Sequence, residues 1–280
     1  MKRRFDQLDV FGAEALRGNP LAVVHDAAGL DDARMAAFAR WTNLSETTFL
    51  LPPTDARADY RLRIFTPGGE LPFAGHPTLG SCHAWLAAGG VPRRAGVVVQ
   101  QCGAGLVEVR RDADGKDRRL AFAAPPLRRS GPLDEATLQR IRAALGLQAD
   151  EVKGHQWVDN GPGWCAVLLD SAARVLALRP DWPRLGDLML GLVAPHVPGG
   201  DAQFELRALI GGGSYEDPVT GSLNASVAQW LIGAGLAPPH YVAAQGAALQ
   251  RAGRVHIDRD GDTIWVGGAV SACIHGEVTL

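Results

Sequence analysis

Residues 72–90, PFAGHPTLGSCHAWLAAGG, are the most informative segment for predicting the fold. The part from Pro77 to Ala88 is rich in small and apolar residues and ends at a Gly-Gly pair, which predicts a buried helix. Gly75 and His76 stand in the turn before it. Because a helix N-terminus presents unpaired backbone N–H groups and a partial positive charge, this turn is a candidate cradle for a carboxylate.

The second half of the chain contains a similar segment. Residues 218–233, PVTGSLNASVAQWLIG, predict another buried helix behind a turn that holds Gly221 and Ser222. Aligning Trp85 with Trp230 gives an offset of 145 residues, which is 230 minus 85. The chain is therefore expected to consist of two similar halves, each with a buried helix behind a Gly-containing turn.

Two further helices look like a second matched pair. Asp31 or Asp32 is expected to cap a helix that carries Met35 and Phe38 on one face. Asp134 and Glu135 begin a helix whose apolar residues are Leu138, Ile141 and Leu145. Their similar charged starts predict that these two helices occupy equivalent places in the two halves.

Strands are predicted around these helices, and the first two should form a hairpin around the turn Gly18, Asn19, Pro20. The Pro-rich residues 124–132 suggest domains 1–127 and 128–280, with the packing partner of the last β segment left open. The predicted strands cover residues 5–11, 21–24, 47–51, 60–65, 264–270 and 272–280.

Composition excludes several classes of protein. The 280 residues carry 28 Lys and Arg against 30 Asp and Glu, so no net field attracts nucleic acid. No apolar run approaches the ~18 residues of a membrane span, and a cytoplasmic location is expected. The four cysteines are scattered without a CxxC pair, which argues against a zinc site and a disulfide framework.

Three ionisable residues lie beside the two turns or a neighbouring strand: Glu46, His76 and Asp217. A partly buried carboxylate can shuttle a proton while a second group holds or polarises the substrate. Each residue also has a structural interpretation. Glu46 would then be a solvated loop-end carboxylate, Asp217 a helix cap and His76 a satisfied polar residue at a turn.

Four segments together resemble the PhzF-like family of phenazine biosynthesis. They are residues 18–24 (GNPLAVV), 43–50 (NLSETTFL), 65–80 (FTPGGELPFAGHPTLG) and 216–222 (EDPVTGS). The resemblance implies an α+β fold of the diaminopimelate-epimerase type, with two pseudo-symmetric domains, each a mixed β-sheet rolled around a central helix. It also implies a cleft between the domains as the active site, and a possible homodimer.

The same resemblance assigns roles to individual residues. Glu46 of the SET motif corresponds to the proton-transferring glutamate, His76 to the histidine of AGHP, and Asp217 and Ser222 to EDPxTGS. Backbone at Gly75 and Gly221 is expected to help bind the substrate. Epimerases of this fold use a cysteine at each helix start, and residues 73–77 and 216–222 contain none.

The leading hypothesis is an isomerase, without metal or organic cofactor, that moves a proton between carbons of a small unsaturated carboxylate. The first alternative is an amino-acid-type epimerase or racemase of the same fold. The second is a binding protein for small acids that has lost catalysis. Walker A, GxSxG and HExxH motifs do not occur in the sequence, so nucleotide-binding, serine-hydrolase and metalloprotease classes have no support.

Overall fold

The structure is a computed structural model that describes residues 1–111 and 119–280. No helix in these two ranges is long and apolar enough to cross a membrane. The chain divides into two compact units. Unit 1 comprises Met1–Ala123 and Gly267–Leu280, and unit 2 comprises Ala124–Val266.

The helices and strands follow one another in a mixed order along the chain. The first are β1 (Lys2–Val10), β2 (Asn19–Val24), α1 (Asp32–Thr42), β3 (Thr47–Leu51), β4 (Tyr60–Thr66), β5 (Gly69–Leu71), α2 (Gly75–Ala87), β6 (Val97–Cys102), β7 (Gly105–Arg111) and β8 (Leu120–Ala123). The next are β9 (Arg129–Gly131), α3 (Glu135–Leu145), β10 (Gly154–Asp159), β11 (Trp164–Leu168), α4 (Ala172–Ala177), α5 (Trp182–Leu185), β12 (Met189–Pro195), β13 (Phe204–Ile210) and β14 (Tyr215–Asp217). The last are α6 (Gly221–Gly233), β15 (His240–Gln245), β16 (Gly253–Asp260), β17 (Thr263–Gly268) and β18 (Val270–Thr279).

The sheet of unit 1 is mixed. β1 pairs antiparallel with β2 on one side and with β18 on the other. β2 runs parallel to β3, β3 antiparallel to β4, and β4 parallel to β6. β5 adds to β4, and β7 and β8 continue the sheet beyond β6, all antiparallel. Parallel pairs need a crossover connection, and α1 and α2 supply it.

The two faces of the unit 1 sheet carry different helices. Thr48 accepts a hydrogen bond from Ser81 of α2 at 2.9 Å, while Phe49 packs in the apolar cluster of α1. Because successive side chains of a strand point to opposite faces, α2 and α1 lie on opposite faces. α2 sits very close to the sheet. A Cβ at Gly80 would lie 2.5 Å from Leu21 Cδ2 and 2.9 Å from Val10 Cγ2, so a larger residue there would displace these two buried side chains.

Unit 2 repeats this pairing order. β10 and β11 are antiparallel, β11 and β12 parallel, β12 and β13 antiparallel, and β13 and β15 parallel. β14 adds to β13 as β5 adds to β4, and β16 continues from β15 as β7 continues from β6. α6 is buried along most of its length, as α2 is. The predicted α+β fold with a duplicated plan is confirmed.

The predicted equivalence of α1 and α3 is wrong. α1 connects the parallel strands β2 and β3, and the matching connection in unit 2, between β11 and β12, contains the short helices α4 and α5. α3 lies earlier, between β9 and β10. It packs with α4 and α5 on one apolar cluster around Ile141, Val175 and Leu185. An amphipathic helix that covers a sheet face has the same sequence pattern wherever its connection falls.

The first hairpin also differs from its prediction. Asn19 and Pro20 belong to β2, where they pair with Val10 and Asp9, and the turn is formed by residues 11–18. Asp9 closes this longer turn because its carboxylate accepts hydrogen bonds from the backbone N–H groups of Arg17 and Gly18, both at 2.6 Å. A side-chain contact of this kind cannot be recognised from turn propensities alone.

Other elements agree closely with the predictions. α1 begins after the cap Asp31, whose side chain accepts a hydrogen bond from the Arg34 N–H, and β3 has the predicted bounds. α2 begins at Gly75, two residues before the predicted start. The last β segment forms β17 and β18, and β18 belongs to unit 1. The division into domains 1–127 and 128–280 stays a prediction about independent folding.

Candidate active site

The start of α2 is a buried helix N-terminus without a side-chain cap. Ala74 is the N-cap residue in extended conformation, and its methyl group cannot accept a hydrogen bond. Gly75 and His76, the first two residues of the helix, are buried. No acidic residue lies in the first turn to compensate the helix dipole. This helix start therefore retains a partial positive charge that favours an anionic group.

Glu46 and His76 meet beside this helix start. Glu46 Oε2 lies 3.4 Å from His76 Nε2, and the two side chains are 15% and 5% exposed. Glu46 is the last residue before β3, and β3 is adjacent to β2 in the sheet that α2 covers. The structure thus brings two of the three predicted ionisable residues together.

His76 is a neutral imidazole at physiological pH. Burial lowers its pKa to about 3, against a smaller opposing effect of a hydrogen bond with the Pro20 backbone. Asn19 Nδ2 lies 3.5 Å from His76 Nδ1. A neutral ring has one donor and one acceptor nitrogen, so it can orient a carboxyl group or polarise a ligand without adding a charge.

The start of α6 in unit 2 is built from neutral polar groups and one carboxylate. Asp217, the last residue of β14, accepts a hydrogen bond from the Thr220 hydroxyl, and Thr220 is the N-cap residue of α6. Gln245, at the end of β15, accepts a hydrogen bond from the Thr220 backbone N–H at 3.0 Å. The carboxylate, the cap and the amide therefore form one hydrogen-bonded group.

Ser222 is held from two sides. The indole Nε1–H of Trp164 donates to Ser222 Oγ at 3.0 Å, and the Asn160 side-chain amide donates to the Ser222 carbonyl at 2.9 Å. Gly221, the first residue of α6, is buried. Asp217, Gly221 and Ser222 are thus gathered at one helix start, as Glu46, Gly75 and His76 are at the other.

Several residues that position these groups were not assigned a role from the sequence. Asn19 stood in a quoted motif, and Gln245 in a weakly matching segment. Nothing in the sequence indicated a role for Asn160, Trp164 or Asn224, whose side-chain amide donates to Gln245 Oε1 at 2.8 Å. Each acts through a contact between positions far apart in the chain, which one sequence does not reveal.

Metal and thiol chemistry have little support in the described residues. Within 1–111 and 119–280, no group of three or more His, Cys, Asp or Glu side chains is arranged to hold a metal ion. Cys82, inside α2, is a buried thiol whose pKa burial raises to about 12, so it is a poor base at neutral pH. The metal-free and cofactor-free expectation itself stays a prediction.

Comparison with known proteins places the chain in a family. Residues 8–274 match the family described as "Phenazine biosynthesis-like protein". The chain is 36% identical to "Antisense-enhancing sequence 1" of Schizosaccharomyces pombe, over 98% of this chain and 97% of that protein. It is also 36% identical to the trans-2,3-dihydro-3-hydroxyanthranilate isomerase of Pseudomonas aeruginosa, over 66% of this chain and 63% of that enzyme.

A solved structure supports the fold. The crystal structure of a PhzF family phenazine biosynthesis protein from Enterococcus faecalis superposes with a TM-score of 0.83, at 24% identity, over 100% of both chains. At this identity the likeness concerns the fold alone.

Proposed function

The chain belongs to the phenazine biosynthesis-like (PhzF) family and is an isomerase, and from that premise we propose that it moves a proton between two carbons of a small unsaturated carboxylate, with Glu46 as general acid and base. The observation that carries the proposal is the Glu46–His76 pair, 3.4 Å apart at a buried helix start. The proposed reaction is a proton transfer without net oxidation or reduction of the substrate, and we propose that it proceeds without metal or organic cofactor.

The proposed reaction has two steps. The Glu46 carboxylate removes a proton from a substrate carbon next to a double bond, and the electron pair of that C–H bond shifts the double bond along the chain of carbons. The Glu46 carboxylic acid then returns the proton to the carbon at the other end of the shifted system. Atoms and charge balance, and one residue serves as base and then as acid.

The neutral His76 is proposed to keep Glu46 in place and to polarise the substrate. An imidazolium at this distance would stabilise the Glu46 carboxylate and make it a weaker base. The low pKa of His76 avoids this effect over the physiological range. The backbone N–H groups at Gly75 and His76 and those at Gly221 and Ser222 are proposed to bind anionic substrate groups. Asp217 and Ser222 are proposed to hold and polarise substrate.

The decisive experiment replaces Glu46 by glutamine, which fits the same space but cannot exchange a proton. Purified wild-type and Glu46→Gln proteins are given trans-2,3-dihydro-3-hydroxyanthranilate and a panel of unsaturated cyclic carboxylates in D2O. Turnover is followed by ultraviolet absorbance and deuterium incorporation by NMR. We expect turnover to fall by roughly two to four decades while ligand affinity and melting temperature stay nearly unchanged.

The matched control is Glu70→Gln. Glu70 is a glutamate of the same unit that is paired with Arg63 on the surface, so this variant should keep wild-type turnover. Wild-type deuterium exchange in Glu46→Gln would show that Glu46 is only a structural carboxylate. Deuterium at a single stereocentre without a change in absorbance would instead identify an epimerase.

A further inference from the structure

Gln245 is a buried amide whose hydrogen-bonding capacity is fully used at the start of α6. It is 1% exposed. Its Oε1 accepts from the Thr220 N–H at 3.0 Å and from Asn224 Nδ2 at 2.8 Å. Its Nε2 donates to the Asp217 carbonyl at 3.2 Å and to Thr220 Oγ1 at 3.0 Å. A side-chain amide offers two donors and an acceptor oxygen with two lone pairs, and all are engaged here.

The backbone determines which way this amide points. The Thr220 backbone N–H can only donate, so it must face the amide oxygen. The Asp217 backbone carbonyl can only accept, so it must face the amide nitrogen. The second N–H of the Gln245 amide then occupies an acceptor site of Thr220 Oγ1, and the hydroxyl proton of Thr220 is directed to Asp217 Oδ2.

The backbone conformation of the next residue, Gly246, also helps to place Gln245 at the start of α6. Gly246 follows it with φ 99°, in the left-handed region. A Cβ at Gly246 would lie 2.7 Å from the Pro218 carbonyl oxygen. Only glycine combines this backbone angle with so close an approach, so the end of β15 can lie against the segment that leads into α6.

We propose that Gln245 is a positioning residue for Asp217: it sets the direction of the hydrogen bond from Thr220 so that the Asp217 side chain remains an ionised acceptor in a fixed orientation. Gln245 touches the cap and backbone of the helix start and acts on Asp217 through Thr220. The neighbouring carboxylate of Glu216 does not compete for this bond, because it pairs with the buried Arg207 at 2.7 and 3.0 Å. The proposal rests on the role proposed for Asp217 in substrate binding.

The first experiment needs no substrate. The carboxyl carbon of Asp217 is titrated by 13C NMR in the full-length protein with 13C-labelled aspartate, and the signal is assigned with Asp217→Asn. In Gln245→Met, which has similar length but no polar group, the Thr220 hydroxyl is free to turn. We expect the titration midpoint of Asp217 to rise, because the Thr220 hydroxyl is no longer directed at the carboxylate and its hydrogen bond to the charged form is weakened.

Two further variants keep this test decisive. Thr220→Val keeps the shape of the cap, removes its hydroxyl, and should give the same rise even where Gln245→Met folds poorly. Gln100→Met replaces the corresponding buried amide of unit 1, which bonds Tyr60 and Thr78, and should leave the Asp217 midpoint unchanged. An unchanged midpoint in folded Gln245→Met would overturn the proposal, and so would an unchanged midpoint in Thr220→Val, because the bond that Gln245 is proposed to direct would then have no effect on Asp217.

The second experiment uses the pH profile of Gln245→Glu. The introduced carboxyl group matches the amide only while it is protonated, when it has one donor and one acceptor oxygen. With trans-2,3-dihydro-3-hydroxyanthranilate as probe, kcat/KM should be about 10- to 100-fold below wild type at pH 8 and recover toward pH 5. A loss independent of pH, explained by a lower melting temperature, would mean a merely structural role. An active Glu46→Gln would refute the proposed function, whereas the Asp217 titration would still decide the role of Gln245.

Discussion

The starts of α2 and α6 occupy the same topological position but use different chemistry. The α2 start has an uncapped Ala74 and an ionisable pair, Glu46 and His76. At the α6 start, the Thr220 hydroxyl donates to the Asp217 carboxylate, and the Gln245 amide bonds Thr220 and the Asp217 backbone. Duplication preserved the pairing of strands and the buried helix. The polar groups differ between the two helix starts, and this difference agrees with the proposed roles, in which Glu46 moves the proton and the start of α6 binds substrate.

Substituting His76 at the start of α2 or Asp217 at the start of α6 tests the proposed difference between the two helix starts most strongly. His76→Ala and Asp217→Asn should each impair binding together with rate, and we expect kcat/KM to fall about 100-fold in both. The measurement is steady-state kinetics on the probe substrate, with KM and kcat separated. If His76→Ala lowered kcat alone, with KM unchanged, the ring would serve the proton transfer rather than the substrate.

The buried His76 predicts acid sensitivity. Its folded pKa of about 3 lies below the ordinary 6.5, so between these values the unfolded chain binds a proton that the folded chain does not. The stability from neutral His76 is present above about pH 6.5 and is lost as the pH falls toward 3. Between pH 7.5 and 4.5, wild type should lose about 2–3 kcal/mol of unfolding free energy more than His76→Asn does.

Urea unfolding at the two pH values measures this effect. His240→Asn is the control, because His240 is an exposed histidine paired with Asp258. It should lose stability in parallel with wild type. Equal acid sensitivity of wild type and His76→Asn would show that His76 takes up a proton in the folded state.

Unit 2 contains a buried acid with the opposite pH dependence. Burial raises the pKa of Glu205 to about 7, and the nearby Glu216 acts in the same direction against the opposing charges of Arg254 and Arg207. His196 Nε2 lies 3.0 Å from its Oε2. Because the folded state holds a proton that the unfolded state releases above its ordinary pKa of 4.5, this contribution is present below pH 4.5 and lost as the pH rises to 7.

Glu205→Gln should therefore change the stability of the protein mainly at neutral and alkaline pH, where His76→Asn has little effect. At pH 8 the variant should be more stable than wild type by about 2–3 kcal/mol, and at pH 5 most of this gain should disappear. Thermal unfolding at both pH values measures it, with Glu108→Gln as an exposed control that is paired with Arg94. The same gain at pH 5 and pH 8 would mean that packing, and not ionisation, causes it.

The sequence predicted the helices α1, α2, α3 and α6, the strands β1–β4, β17 and β18, and an isomerase of this family, but it did not predict α4, α5 or the strands between β4 and β17. Caps and apolar periodicity identified α1 and α3, because Asp31 and Asp134 each accept a backbone hydrogen bond from the residue three positions on. α2 and α6, which have no side-chain cap, were identified by their runs of small and apolar residues behind a Gly-containing turn. The hairpin turn and the partner of α3 were missed, since Asp9 acts on residues 17 and 18 and the place of α3 depends on strand pairing. The pairing of Glu46 with His76 spans 30 residues (76 minus 46), and that distance needed the structure.

The pairing of β1 with β18 has a consequence for how the protein is made. Unit 2 is one continuous stretch, whereas unit 1 needs the last residues of the chain, paired from Lys2 with Thr279 to Val10 with Val270. During synthesis, residues 1–123 emerge well before residues 270–279, so β1 keeps an open edge until β18 pairs with it. Such an edge is a site for unwanted strand pairing. We expect nascent chains that lack β18 to bind chaperones, and release to follow the emergence of the final strand.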